Sequence, residues 1–266
     1  MANYSHDRIV PFKDSQQGKK QQVAEMFDKI AFRYDFLNRF LSGGVDVFWR
    51  KRAIRQLRGL GSAADRVEAG AAAPVDLSVL DVATGTGDMA ILLSRHFPEA
   101  RITGVDISTG MLDVGRRKLT RLQLDNRITL QTADSEALPF SDGRFDAITV
   151  AFGVRNFENL EKGLREMRRV LKPGGKLVVL EFSQPRIPVI SQLYRLYMRR
   201  VAPRIAGIAS GNRAAYQYLN DSVQAFPEGE GFIAILNRCG YDQTRLRRLS
   251  LGICSLYTGE KGTGRN

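Results

Sequence analysis

The chain has 266 residues, 43% of them hydrophobic, and a formal net charge of +12. That length and composition fit one large globular domain, and no apolar run is long enough to span a bilayer. Two cysteines without metal spacing and two histidines exclude a disulfide framework and a His-rich metal site. The opening M-A-N-Y-S-H-D-R lacks a signal-peptide core, which predicts a reduced, cytoplasmic setting. Residues 1–20 are polar and predict a flexible tail. Val23, Met26, Phe27 and Ile30 recur at helical spacing. They open a helical lid over 21–60 that contains an aromatic-dense cluster from Phe32 to the single Trp49, then a helix from Phe48 to Leu57. The Ala/Gly-rich stretch 61–76 reads as a linker.

The core is predicted over 77–183. L-S-V-L-D ends in Asp81, and a turn with Gly85, Thr86 and Gly87 leads into a helix stopped by Pro98. Strands follow at Ile102–Val105, Ile128–Gln131, Phe145–Ala151 and Lys176–Glu181, with helices at Met111–Leu122 and Leu160–Leu171 between them. This alternation predicts an α/β protein: a mostly parallel sheet with helices on both faces. Residues 184–240 lose the alternation and predict a helical, substrate-side region with helices at 216–226 and 231–239. Residues 241–266 predict a β-hairpin that completes a seven-stranded sheet.

The glycine turn alone would pass as a dinucleotide fingerprint. The carboxylates decide otherwise. Asp81 ends the first strand where a pyrophosphate would sit, and a carboxylate there repels phosphate but suits an ammonium or sulfonium group. Asp106 ends the second strand, 19 residues after Gly87, where a ribose diol is usually held. Asp134 follows the third. Acids at three successive strand ends point to S-adenosylmethionine as cofactor; as an alternative, each could simply cap the helix that follows it.

With these elements in place, the chain resembles the UbiE/COQ5 type of class I methyltransferase, the C-methylases of menaquinone and ubiquinone synthesis. The resemblance runs from about Val23 to Lys261. It is carried by Tyr34-Asp35-x-Leu37-Asn38 through Ser42 to Trp49, by F-G-V-R-N at 152–156, by R-V-L-K-P-G-G-K-L-V-V-L-E-F-S at 169–183, and by L-x-x-G-I-x-x-L-Y-x-G at 249–259. It implies a Rossmann-like fold. It also implies cofactor contacts at Thr86, Asp106, Asp134 and Ser135, with Asp81, Gly85 and Gly87 behind them and Ala151 at the end of the fourth strand. Two positions depart from the family pattern: Asp46 stands where a His is common, and Ala151 where a Ser is common.

The resemblance further implies methyl transfer to a ring carbon of a prenylated quinol. Demethylmenaquinol is the leading substrate, and the polyprenyl-methoxy-benzoquinol of ubiquinone synthesis is the alternative. Arg155 and Asn156, just past the fourth strand, are the candidates for the proton step. An arginine, with a pKa above about 12, is a poor free base. Arg155 is therefore assigned to stabilising a phenolate or orienting a water, with a plain carboxylate pairing as the competing reading. Tyr216, Tyr218 and Asp221 are weaker substrate-side candidates.

The basic bias is concentrated between Arg186 and Arg248, with ten Arg against four acids. No nucleic-acid module is visible, so a specific nucleic-acid partner is not expected. A tail that lives in the bilayer instead predicts reversible contact of Leu193–Val201 with an anionic membrane on its inner, cytoplasmic face, through Arg195, Arg199 and Arg200. A homodimer is left open.

Overall fold

The computed structural model describes residues 4–60, 77–196 and 213–264, the side chains of 36–38, 40, 41, 190, 193–195, 213, 214 and 216 excepted. Its helices are α1 (Lys19–Leu41), α2 (Val45–Ile54), α3 (Asp88–His96), α4 (Thr109–Leu122), α5 (Leu160–Val170), α6 (Pro188–Leu196), α7 (Arg213–Ala225) and α8 (Glu230–Arg238). Its strands are β1 (Ser78–Val82), β2 (Arg101–Asp106), β3 (Ile128–Thr132), β4 (Phe145–Ala151), β5 (Leu171–Phe182), β6 (Tyr241–Leu249) and β7 (Cys254–Lys261). They form one seven-stranded sheet in the order β3-β2-β1-β4-β5-β7-β6. Only β7 runs against the rest, inserted between β5 and β6.

Alternate residues of the central strands point to opposite faces, and both faces are buried, the condition for a parallel sheet in an α/β protein. Leu80, Val82, Ile148, Val150, Leu177 and Val179 face Leu164 and Met167 of α5 and Phe232 and Leu236 of α8. Val79, Ile102, Ala147, Val178 and Leu180 face Trp49, Ala53 and Leu57 with Leu93, Leu112 and Leu119. Strand order reverses between β1 and β4, so the carboxyl ends of β1, β2 and β4 open a crevice at a topological switch point.

One expectation needs correction. Residues 4–20 are not a loose tail: Ser5–Arg8 forms a 3-10 turn and His6 is fully buried. Tyr4 Oη donates to Glu161 Oε1 at 2.5 Å, and Lys19 Nζ donates to the His6 carbonyl at 2.6 Å. The K-P-G-G turn at 172–175 lies inside β5 as an irregularity, where the pairing with β4 shifts register and Gly174 turns left-handed. The expected linker at 61–76 lies outside the described residues, as do residues 197–212. No described helix is long and apolar enough to cross a membrane.

Candidate active site

A cavity of about 670 Å³ opens at the switch point. Its floor is the strand ends: Val82 and Ala83 after β1, Val105 to Ile107 at β2, Ala133 to Glu136 after β3, and Ala151 to Gly153 at β4. Its roof is α1, which contributes Lys20, Val23, Phe27 and Tyr34. These four lie on one helix face at spacings of three, four and seven.

The backbone is bent hard around this floor. Ala83 and Phe152, each directly after a strand, take left-handed conformations (φ 53° and 62°) that cost a bulky side chain free energy. They fit because residue 153 is glycine: a Cβ there would stand 2.5 Å from the Ala83 Cβ. Gly85, also left-handed, points its N–H at Asp106 Oδ2, 2.8 Å away.

The carboxylates divide into two roles. Asp106 accepts from Gly85 N and, through Oδ1, from Ser108 N at 2.9 Å. Each oxygen keeps a lone pair, and the group lines the cavity. Its buried setting pushes its carboxyl pKa up, against the backbone N–H groups that hold it down. Asp134 lines the cavity as well, accepting from Glu136 N and from Lys20 Nζ at 2.5 Å. Lys20 also lies 3.4 Å from Glu136. Burial depresses the lysine, but the two carboxylates outweigh it and hold its pKa above the ordinary value.

Asp81 is different. It is 1% exposed, and each of its oxygens accepts one bond, from Thr84 Oγ1 and from Thr149 Oγ1, both at 2.6 Å. It stands behind the residues that line the cavity and supports the glycine turn through Thr84. Thr86 and Gly87 also stand outside the lining; Thr86 Oγ1 donates to Asp35 of α1 and accepts from Lys118 Nζ. Gly85, Ser135, Ala151 and Asn156 do line it. The donor set fits S-adenosylmethionine: a free carboxylate face for a diol at Asp106, another for an amine at Asp134, and apolar walls between. Among the described residues no cluster of acids, histidines or cysteines could hold a metal.

Comparison with known proteins agrees with this geometry. The model of the ubiE/COQ5 methyltransferase family matches residues 15–261. The chain belongs to this family. A demethylmenaquinone methyltransferase of Bacteroides fragilis is 44% identical over 260 residues, covering 97% of this chain and all of the relative. A ubiquinone/menaquinone biosynthesis C-methyltransferase of Geobacter sulfurreducens is 46% identical, covering 92% of this chain and 90% of that one. A solved S-adenosylmethionine-dependent methyltransferase of Methanococcus maripaludis, only 16% identical, shares the fold with a TM-score of 0.57 over 96% of this chain and 99% of its own.

Within the UbiE/COQ5 frame, the residues after β4 separate in position. Asn156 faces the cavity, and its Oδ1 is buried without a hydrogen-bond partner. Arg155 is 4% exposed and points away from the lining. Its Nη1 donates to Glu181 Oε1 and to the Phe152 carbonyl, both at 2.6 Å, and its guanidinium lies over the Phe182 ring. Burial pushes the Glu181 carboxyl up while Arg155 pulls it down. This geometry is the carboxylate pairing that competed with the catalytic reading. Arg155 Nε nonetheless has no partner, nor does the Tyr218 hydroxyl, which is buried and held well above its ordinary pKa by that burial. Asp221 accepts from Gln217 on the surface of α7, and the Tyr216 side chain lies outside the described residues.

The departure at Asp46 also has a structural account. Asp46 is buried, pairs with Arg50 one turn along α2 and accepts from Ser42 Oγ. The Arg50 guanidinium in turn lies over Phe152, 5.4 Å from the ring centroid, so Asp46 braces the cavity wall from behind. The sequence placed Val23, Phe27 and Tyr34 in a lid without singling them out as cavity residues, and it left Lys20 in the tail.

Proposed function

We propose that this chain is a C-methyltransferase that places a methyl group on a ring carbon of a prenylated quinol, with demethylmenaquinol as substrate. The observation that carries the reading is one cavity with two chemistries. Asp106 and Asp134 line it together with Val23, Phe27, Tyr34, Phe152 and Phe157. The carboxylates suit a cationic nucleoside cofactor, and the aromatic side chains suit a flat, electron-rich ring.

When bound, S-adenosylmethionine supplies an electrophilic methyl on a positively charged sulfur. The chain's own residues must hold the ring in line, exclude water and help a quinol hydroxyl lose its proton, which makes the adjacent ring carbon nucleophilic. Asp106 would accept from the ribose diol. Asp134 would accept from the adenine amine, sharing its carboxylate with Lys20 or releasing it. Asn156 Oδ1 would accept from the quinol hydroxyl and orient it. Arg155, one residue back and turned from the cavity, would act by positioning rather than by contact. Its bond to Glu181 fixes the 3-10 turn Val154–Asn156 that presents Asn156. A membrane-resident substrate further requires reversible contact with a lipid surface. The segment first expected to make it, Leu193–Val201, falls on undescribed side chains and residues.

A second reading rests on the Geobacter sulfurreducens relative, whose name joins ubiquinone and menaquinone synthesis. The benzoquinol precursor of ubiquinone is therefore the competing substrate. Labelled-methyl transfer to each quinol, under reducing conditions, separates the two. Turnover of demethylmenaquinol is expected, and Asn156→Ala should cut turnover at least tenfold with little change in cofactor affinity, the mark of a contact made mainly in the transition state. Cofactor binding without transfer to either quinol would defeat the proposal.

A further inference from the structure

Phe48, Ile187, Val189 and Leu251 are exposed by 54%, 48%, 64% and 62%. They belong to three segments that meet at one rim. Trp49 Nε1 donates to Ser250 Oγ at 2.8 Å, which joins α2 to the turn between β6 and β7. Ser183 Oγ donates to the Gly252 carbonyl at 2.8 Å, and a Cβ on Gly252 would stand 3.5 Å from Pro185 Cα. That joins the same turn to the chain entering α6. Beneath the rim, Trp49, Phe152 and Phe182 pack ring against ring, with centroids 4.5 to 6.1 Å apart. Phe152 is also a wall of the active-site cavity. An aromatic partition thus joins the cavity to the exposed rim.

Two further observations say what the rim meets. Leu251 is left-handed (φ 58°, ψ 20°), and Ser250 before it has a φ of 45°. That conformation favours Gly or Asn, and an exposed leucine there does nothing for the fold of the free chain. Charge is the second observation. Arg186 is exposed beside Ile187, and Lys51 and Arg52 lie one turn along α2 from Phe48. Residues 47–60, 182–192 and 250–253 contain no acid. The guanidinium groups of Arg186 and Arg248 converge on Gly229, with Nη2 atoms 3.1 and 2.9 Å from where its Cβ would be. The terminal nitrogens of Arg248 are buried there, 3.9 Å from Glu228, which also accepts from Gln184 N at 2.6 Å, so the charge the rim presents is that of Arg186, Lys51 and Arg52. A second copy would oppose like charges across such a face.

We propose that this rim docks the enzyme on an anionic phospholipid bilayer. Phe48, Ile187, Val189 and Leu251 enter the headgroup boundary, and Arg186, Lys51 and Arg52 meet the lipid phosphates. The proposal rests on the reading above that the acceptor carries a bilayer-resident tail, and it names the face that reaches it.

The test is co-sedimentation with vesicles of phosphatidylcholine alone and of phosphatidylcholine mixed with phosphatidylglycerol. Three proteins are compared: wild type, Phe48→Ser with Leu251→Asn, and Arg186→Gln with Lys51→Gln. Asn suits the left-handed turn, so the first variant should keep the wild-type circular dichroism and cofactor affinity. Wild type should bind the anionic vesicles and lose that binding in high salt. Each double variant should bind roughly tenfold more weakly. With a short-tailed quinol in solution, wild type and the Phe48/Leu251 variant should turn over equally. With a long-tailed quinol in anionic vesicles, the variant should fall behind by roughly the same tenfold. Equal sedimentation by all three proteins overturns the docking face. So does a dimer that Leu251→Asn dissolves in a protein that ignores lipid. Wild type that sediments but methylates neither quinol leaves the docking face standing and removes the proposed function.

Discussion

Asp81 carries the residue-scale consequence of building a site into buried strand ends. Two threonine hydroxyls hold its carboxylate, but burial outweighs them and pushes its pKa up to about 6, from an ordinary 3.8. A carboxyl whose pKa is raised on folding favours the native state when protonated. Its contribution is therefore complete below about pH 4 and is lost as pH rises through about 6. A shift of about two units corresponds to about 3 kcal/mol at most. Asp106 and Glu181 shift in the same direction, so wild-type stability should fall over the same acid window for more than one reason. Asp81→Asn isolates one of them. Relative to wild type it should gain stability between about pH 4 and pH 6 and hold a constant difference above. Urea titrations at closely spaced pH values check this; a difference independent of pH would mean that Asp81 is not the group titrating. The sequence located this acid but not its work, because Thr149 is 68 residues away and only strand pairing brings it near. The Arg155–Glu181 pair, 26 residues apart, was hidden for the same reason.

At the scale of an element, α1 behaves as a strap across the crevice. Lys20, Asp28 and Asp35, eight and seven residues apart, reach one after another to the loops after β3, β2 and β1. Lys20 binds Asp134. Asp28 accepts from Ser108 Oγ at 2.6 Å and Gly110 N at 2.8 Å. Asp35 accepts from Thr86 Oγ1 and from Lys118 Nζ at 2.8 Å. A ligand that fills the cavity beneath must pass this strap, so the polar contacts set how often it lifts. Each of these three partly exposed side chains contributes about 1 kcal/mol after screening. Removing two, with Asp28→Ala and Asp35→Ala, should raise the open population roughly thirtyfold. Amide exchange across α1 should speed up by that order, and cofactor dissociation with it, while β1 and β4 stay protected. Unchanged exchange in α1 would show that its apolar face alone holds it down. The sequence announced the helix through Val23, Met26 and Phe27. It gave no sign that one helix would run unbroken from Lys19 to Leu41, because the aromatic cluster after Phe32 blurs the polar face that makes the contacts.

For the molecule as a whole, the alternation of strand and helix made the parallel half of the sheet legible, because each βαβ unit is local in sequence and right-handed by rule. The C-terminal hairpin was legible as two strands, though nothing in its residues says that β7 takes the interior place and β6 the edge. Burial does explain it. β7 is buried on both faces, with Cys254 and Leu256 on one side and Tyr257 on the other, whereas β6 is exposed at Asp242, Arg245 and Arg247. Such a last strand offers its outer backbone groups to any passing chain, and charged side chains are the usual guard. Arg245 and Arg247 pair across to Thr258 and Leu256 on β7 and stand exposed on the strand. Their charge rather than their sign should matter for this purpose. Arg245→Val with Arg247→Val would give the edge a continuous apolar run, Val-Leu-Val, of the kind that templates pairing between molecules. That variant should scatter light at concentrations where wild type stays clear, and sooner on warming, since its fold is intact but its edge is not. Arg245→Glu with Arg247→Glu should stay clear. Both variants leave the cavity and α1 untouched, so cofactor affinity should match wild type in the soluble fraction of each. If the glutamate pair aggregates as readily as the valine pair, the arginines act through their particular partners and not as guards of an open edge.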